Sequence, residues 1–119
     1  MAGVALSDSY LLLWDASNMD VFSLQSIEAS LQCTIPYTSS LQGVCLHGDM
    51  IYRSSENRLE GLSASGVLKE CIEFPSSEGN PHFLTVHGNY MAVLTDTLYL
   101  HLYSMKGRKP KKICSTKVC

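Results

Sequence analysis

The chain has 119 residues, 45% hydrophobic and 17% charged, which suits one domain with its own core and is too apolar for an intrinsically disordered segment. Its formal net charge of −2 offers no general attraction for phosphate backbones or anionic lipid, so nucleic acid is not an expected partner. The longest apolar run, Tyr10 to Trp14, falls far short of the ~20 residues of a membrane-spanning helix, and no membrane span is expected.

Met1 to Leu6 carry no basic flank and run into Ser7-Asp8-Ser9, which argues against a secretory signal and predicts a cytoplasmic chain. From there the sequence repeats. Gly3 to Leu6, a polar triplet, and a second apolar stretch from Tyr10 recur as Gly43 to Leu46, His47-Gly48-Asp49 and a stretch from Met50. They recur again as Phe83 to Val86, His87-Gly88-Asn89 and a stretch from Tyr90, so the triplets lie forty residues apart. A third segment keeps the same spacing: Met19, Leu59 and Tyr99 match, as do Phe22, Leu62 and Leu102. A fourth closes the first two copies, Ile27 to Ile35 and Val67 to Phe74, each followed by Pro36 or Pro75.

Alternating apolar residues such as Leu98, Leu100 and Leu102 suit half-buried strands, and the short links leave no room for crossover helices. The expected fold class is therefore all-β: antiparallel four-stranded meanders, two to three blades of a WD40-like β-propeller in an incomplete ring. The blades are expected at about 1–36, 41–75 and 82–105, making 1–105 a partial propeller, with 106–119 a flexible basic polar tail. The rival is a helix through Leu11 to Leu31, rich in Leu, Gln and Glu. Its partner copies argue against that, because they contain Gly61, Gly66 and Ser-rich turns. Two full copies and a third stopping after Ser104 cannot close a ring of the usual 4–8 blades. A piece of a larger propeller, or a truncated product in need of a partner, is the expectation, since open edges expose unpaired N–H and C=O groups.

Few residues suggest chemistry. Trp14-Asp15 reads as a strand-end aromatic followed by a turn aspartate, and His47 and His87 occupy matching turn positions. His82 and His101 lack a metal-binding spacing and the five cysteines form no Cys-X-X-Cys pair, so no metal site is expected. Cys45 and Cys71 fall on apolar segments and are expected to pack as small hydrophobes, whereas Cys114 and Cys119 lie in the tail. The run Lys106 to Lys112 is a solvated end or, alternatively, a nuclear-import, nucleic-acid or lipid-binding patch. Glu78, Gly79, Asn80 and Pro81, in the connection between two blades, are turn formers and the one candidate partner-binding loop. No catalytic or cofactor-binding residue stands out, and no cofactor or small-molecule substrate is expected.

Those last residues also carry a resemblance. Glu78-Gly79-Asn80-Pro81-His82-Phe83-Leu84, followed by Gly88-Asn89-Tyr90, resembles the second propeller of the intraflagellar transport protein 140 family. Asp49 to Tyr52 and Glu56 to Leu59 resemble the preceding blade, and Leu13-Trp14-Asp15 with Val21-Phe22 the one before, so the likeness runs from Val4 to Thr95. The resemblance implies a WD-repeat scaffold of intraflagellar transport complex A, serving retrograde transport and cilium assembly at the cilium and its base, with other complex A subunits as partners. Members carry two propellers and a long helical array, and Lys106 to Cys119 does not match their pattern. The competing readings are a propeller of another vesicle-coat or tethering complex and, of a different class, a Cys/His-dependent enzyme, which would need a pocket.

Overall fold

A computed structural model describes residues 3–25, 28–37 and 43–118. Among these the chain is all-β apart from one 3₁₀ turn, Ser76–Glu78. The first sheet holds β1 (Gly3–Leu6), β2 (Tyr10–Trp14), β3 (Asn18–Gln25) and β4 (Glu28–Pro36). The second holds β5 (Val44–His47), β6 (Met50–Ser55), β7 (Arg58–Ser63) and β8 (Leu68–Glu73). The third holds β9 (Pro81–His87), β10 (Tyr90–Thr95), β11 (Tyr99–Ser104) and β12 (Lys111–Lys117). Each sheet is an antiparallel meander in which every strand pairs with its neighbour in sequence, and the three form consecutive blades that do not close on themselves. The helix considered for Leu11 to Leu31 is absent: its described residues form β2, β3 and β4, and Ile27 lies outside the described residues.

The repeated polar triplets are tight hairpins. His47 pairs with Met50 and His87 with Tyr90, leaving Gly48-Asp49 and Gly88-Asn89 as two-residue turns. Both glycines have φ of +58° while Asp49 and Asn89 stay at negative φ, the pattern of a II′ turn, whose twist matches that of the flanking strands. In the first blade Ser7 N–H donates to Tyr10 O at 2.9 Å and the Ser7 hydroxyl accepts from Tyr10 N–H at 3.1 Å, which closes a two-residue turn at the matching place with neither glycine nor positive φ.

The third blade departs from the sequence reading twice. First, the segment from Lys106 is not a loose tail throughout, because Lys111–Lys117 pairs with β11 and completes the blade. All seven side chains of β12 are exposed, so no apolar alternation announces it; its backbone pairing holds it, and its lysines suit an edge strand. Second, the forty-residue register slips by one. Trp14 faces Met19 and Ser54 faces Leu59, but Leu94 faces Leu100, because a three-residue turn, Asp96-Thr97-Leu98, replaces the two-residue turns of the earlier blades. Leu98 takes φ of +67° to close it. A shift of one residue reverses which side chains point to which face, so Leu100 takes the place expected for Tyr99 and the buried Tyr103 the place expected for Leu102.

Two apolar layers hold the blades together. Leu12, Met19, Val21 and Ile35 of the first blade pack on Ile51, Leu62 and Ala64 of the second, with Tyr37 beside them. Cys45, Tyr52, Leu59 and Phe74 of the second pack on Met91, Val93, Tyr103 and Met105 of the third. Each fully buried aliphatic side chain contributes about 1.5–3 kcal/mol. The innermost strands β1, β5 and β9 lie side by side, setting the blades around a common axis.

Candidate interaction surfaces

The Glu78–Pro81 connection is tied into the third blade through Glu78 and Asn80. The Asn80 N–H donates to Asp96 Oδ1 at 2.9 Å, the Asp96 N–H donates back to Asn80 O at 3.0 Å, and the Thr97 hydroxyl donates to Glu78 O at 2.8 Å. Gly79 has φ of +86°, and a Cβ there would lie 2.5 Å from both Asp96 Oδ1 and Thr97 Oγ1, so conformation and space both call for glycine. The Pro81 ring is fully buried. Glu78 Oε1 lies 2.8 Å from Nε2 of the buried His101, whose ring packs on Phe74 and Tyr103. Burial and the nearby Lys112 outweigh the pull of Glu78 and hold His101 below its ordinary pKa of 6.5, leaving a neutral imidazole at pH 7. The sequence block that carries the resemblance thus positions the β10–β11 hairpin, and its exposed rim is Ser76, Ser77, Asp96 and Thr97.

The junction of the first two blades is polar at its rim. Glu60, 8% exposed, accepts from Arg53 at 3.1 Å and Arg58 at 3.2 Å. Arg53 reaches across to donate to Pro36 O at 2.9 Å and lies over the Tyr37 ring. Tyr37 donates its hydroxyl to Ser54 O at 2.8 Å, and the Ser54 hydroxyl accepts from Gly43 N–H at 2.8 Å, so the entry to the second blade is pinned to its own hairpin. Beside the inner strands lies a shallow cleft of about 320 Å³ lined by Val4, Trp14, Gly43, Val44, His82, Phe83 and Leu84.

The two outer blades each leave one face uncovered. In the first blade the strand register puts Val4, Leu6, Leu11, Leu13, Phe22 and Leu31 on one side of the sheet, with Leu6 69% exposed. In the third, Phe83, Ala92, Leu94, Leu100 and Leu102 share the side turned away from the second blade, with Phe83 60% exposed.

Solved structures share this architecture. BamB from Moraxella catarrhalis matches with a TM-score of 0.69 at 9% identity, over 98% of this chain and 36% of that one. Hsv2 from Kluyveromyces marxianus matches with a TM-score of 0.68 at 9% identity, over 98% of this chain and 38% of that one. Both are propeller proteins, and the chain spans little more than a third of either. An enzyme, glutaminyl cyclase from Myxococcus xanthus, matches with a TM-score of 0.60 at 14% identity, over 86% of this chain and 47% of that one. The model of the family described as IFT140 second beta-propeller matches residues 1–119. The chain belongs to that family.

For this IFT140-family propeller the remaining sequence candidates fall into place. Trp14 ends β2, and the Asp15 carboxylate accepts from Ser17 N–H at 2.8 Å and Asn18 N–H at 2.9 Å, which holds its pKa below the ordinary carboxylate value. That is a turn aspartate. His47 and His87 end β5 and β9 at the hairpins. Cys45 is buried, 4.0 Å from Met91 across the second junction, and burial pushes its thiol up to about 12. Cys71, expected to pack inside, is instead exposed, because β8 is the outer strand of its blade and no further strand covers it. Cys114 is exposed on β12, and Cys119 lies outside the described residues. Among the described residues no three His, Cys, Asp or Glu cluster to hold a metal, and no helix is long and apolar enough to cross a membrane. The sequence reading missed the Glu78–His101 pair, although an isolated His in an apolar run followed by Tyr was a signal of a buried ring.

Proposed function

We propose that this propeller module is a non-catalytic scaffold of intraflagellar transport complex A, acting in retrograde ciliary transport and cilium assembly from the cytoplasm and ciliary base. The observation that carries the reading is the family match along all 119 residues. Around it stand features that suit protein binding: hairpin loops held by backbone and side-chain bonds, and apolar sheet faces open for contact. The partner contact is assigned to the rim of the Glu78–Pro81 connection, where Ser76, Ser77, Asp96 and Thr97 face solvent over a rigid base.

The test is affinity capture of the tagged 119-residue chain from ciliated cells, with the recovered proteins identified by mass spectrometry. Other complex A subunits should be enriched, and Ser76→Arg with Ser77→Arg should reduce them several-fold. Recovery of no complex A subunit overturns the reading, and recovery of coat or tether subunits in their place moves the module to another transport complex.

A further inference from the structure

Each blade ends at its rim in a strand paired on one side only, β4, β8 or β12. Neighbouring blades meet through their faces and leave these rim edges open: a whole blade follows β8, and β8 still ends its sheet with Cys71 exposed. The edge of β12 is therefore open whatever chain precedes or follows the three blades. Just past β12 the Val118 N–H turns inward to the Leu98 carbonyl at 2.8 Å. Backbone groups alternate in direction along an antiparallel strand, so those of Lys117 and Ser115 point outward to the open edge.

Charge separates β12 from the other two rims. β4 holds no lysine or arginine, and β8 holds Lys69 against Glu70 and Glu73. β12 holds Lys111, Lys112 and Lys117 with no acid, and the hairpin leading into it adds Lys106, Arg108 and Lys109, all of them exposed. Edge lysines blunt stray strand pairing, but β4 is an equal edge and does without any, so that role does not account for six cations within residues 106–117. The register sets Lys112 and Lys117 beside Tyr103 and Tyr99 on one side of the sheet and Lys111 beside Ser104 on the other, so cations flank the open backbone on both sides. The same charges oppose pairing of β12 with β12 of a second copy, because like charges directly across a strand pair are destabilising.

We infer that β12 binds an extended acidic segment of another protein, which adds to the third blade as a fifth strand. Its main chain pairs with the backbone groups of Ser115 and Lys117, and its carboxylates meet Lys111, Lys112 and Lys117. An extended acidic segment uses the open backbone and the cations together, whereas a lipid surface or a nucleic acid would use the cations alone. The proposal is independent of any role in transport.

Fluorescence anisotropy with the purified chain tests it, using a labelled peptide of repeated Glu-Glu-Thr-Thr and a control of repeated Lys-Lys-Thr-Thr. The acidic peptide should bind, more weakly as salt is added, and the basic one should not. N-methylation of alternate amides in the acidic peptide removes backbone donors and keeps the charge, and should weaken binding by about tenfold or more. Lys111→Glu, Lys112→Glu and Lys117→Glu made together should weaken the acidic peptide by about tenfold or more and take up the basic one, a gain that a misfolded chain would not show. Strand addition is overturned by an acidic peptide that does not bind or binds no better than the basic one. It is equally overturned by an N-methylated peptide that binds undiminished, by a triple variant that keeps the acidic peptide or refuses the basic one, or by tighter binding to phosphatidylserine vesicles or a single-stranded oligonucleotide than to the acidic peptide.

Discussion

The central blade and the two outer blades are built from the same meander, yet only the central one is covered on both sides. Ile51 and Leu59 are both buried in it, one against the first blade and one against the third. Leu13, one blade earlier, sits at the position of Arg53 and stays 41% exposed. The difference shows that burial here is conferred by the neighbouring blade and not by the strand's own sequence. It also explains where charge is tolerated: Glu60 is buried because Arg53 and Arg58 meet it and Arg53 finds the Pro36 carbonyl of the blade before, whereas the equivalent Asp20 accepts from the neutral Thr34 hydroxyl at 2.8 Å.

The largest test of this contrast is Leu59→Ala, which removes a side chain 1% exposed and should cost about 2–5 kcal/mol in urea unfolding. Val4→Ala, at a position 63% exposed on the first blade, should change stability by less than about 0.5 kcal/mol; equal losses would end the distinction. Next comes Gly79→Ala, which forces a side chain into positive φ against Asp96 and Thr97 and should cost about 1–3 kcal/mol in the same assay.

A smaller effect belongs to the third blade alone. The folded-state pKa of His101 lies below 6.5, so the unfolded chain binds its proton first; the stabilisation is complete above pH 6.5 and is lost as pH falls below it. Thermal midpoints should fall on acidification through that range, and His101→Gln should flatten the slope. The smallest effect leaves stability untouched. Alkylation near neutral pH should modify Cys71 and Cys114 readily and Cys45 last, as peptide mass spectrometry would show, because Cys45 is buried between two blades while Cys71 and Cys114 are exposed.

The hairpin framework was legible because the turns repeat, and because Gly48 and Gly88 mark positions where φ is positive. Three features were hidden for physical reasons. β12 is exposed on both faces, so it carries no periodic signal and is a strand only by virtue of pairing with β11. The slip at Leu98 is a matter of turn length, invisible when apolar residues occupy both faces as they do from Leu98 to Tyr103. Cys71 sits on an outer strand, and no pattern within Leu68–Glu73 tells inner from outer. At the Glu78–Pro81 connection the turn chemistry was readable, but its ties to Asp96, Thr97 and His101 join segments about twenty residues apart and emerge only in three dimensions.

The pairing of every strand with its sequence neighbour also bears on how the chain reaches this state. No strand has to wait for a partner made much later, so the loop-closure entropy to be overcome is small and each meander is topologically quick to assemble. During synthesis the blades should therefore appear in order from the amino terminus, each new one condensing on the last.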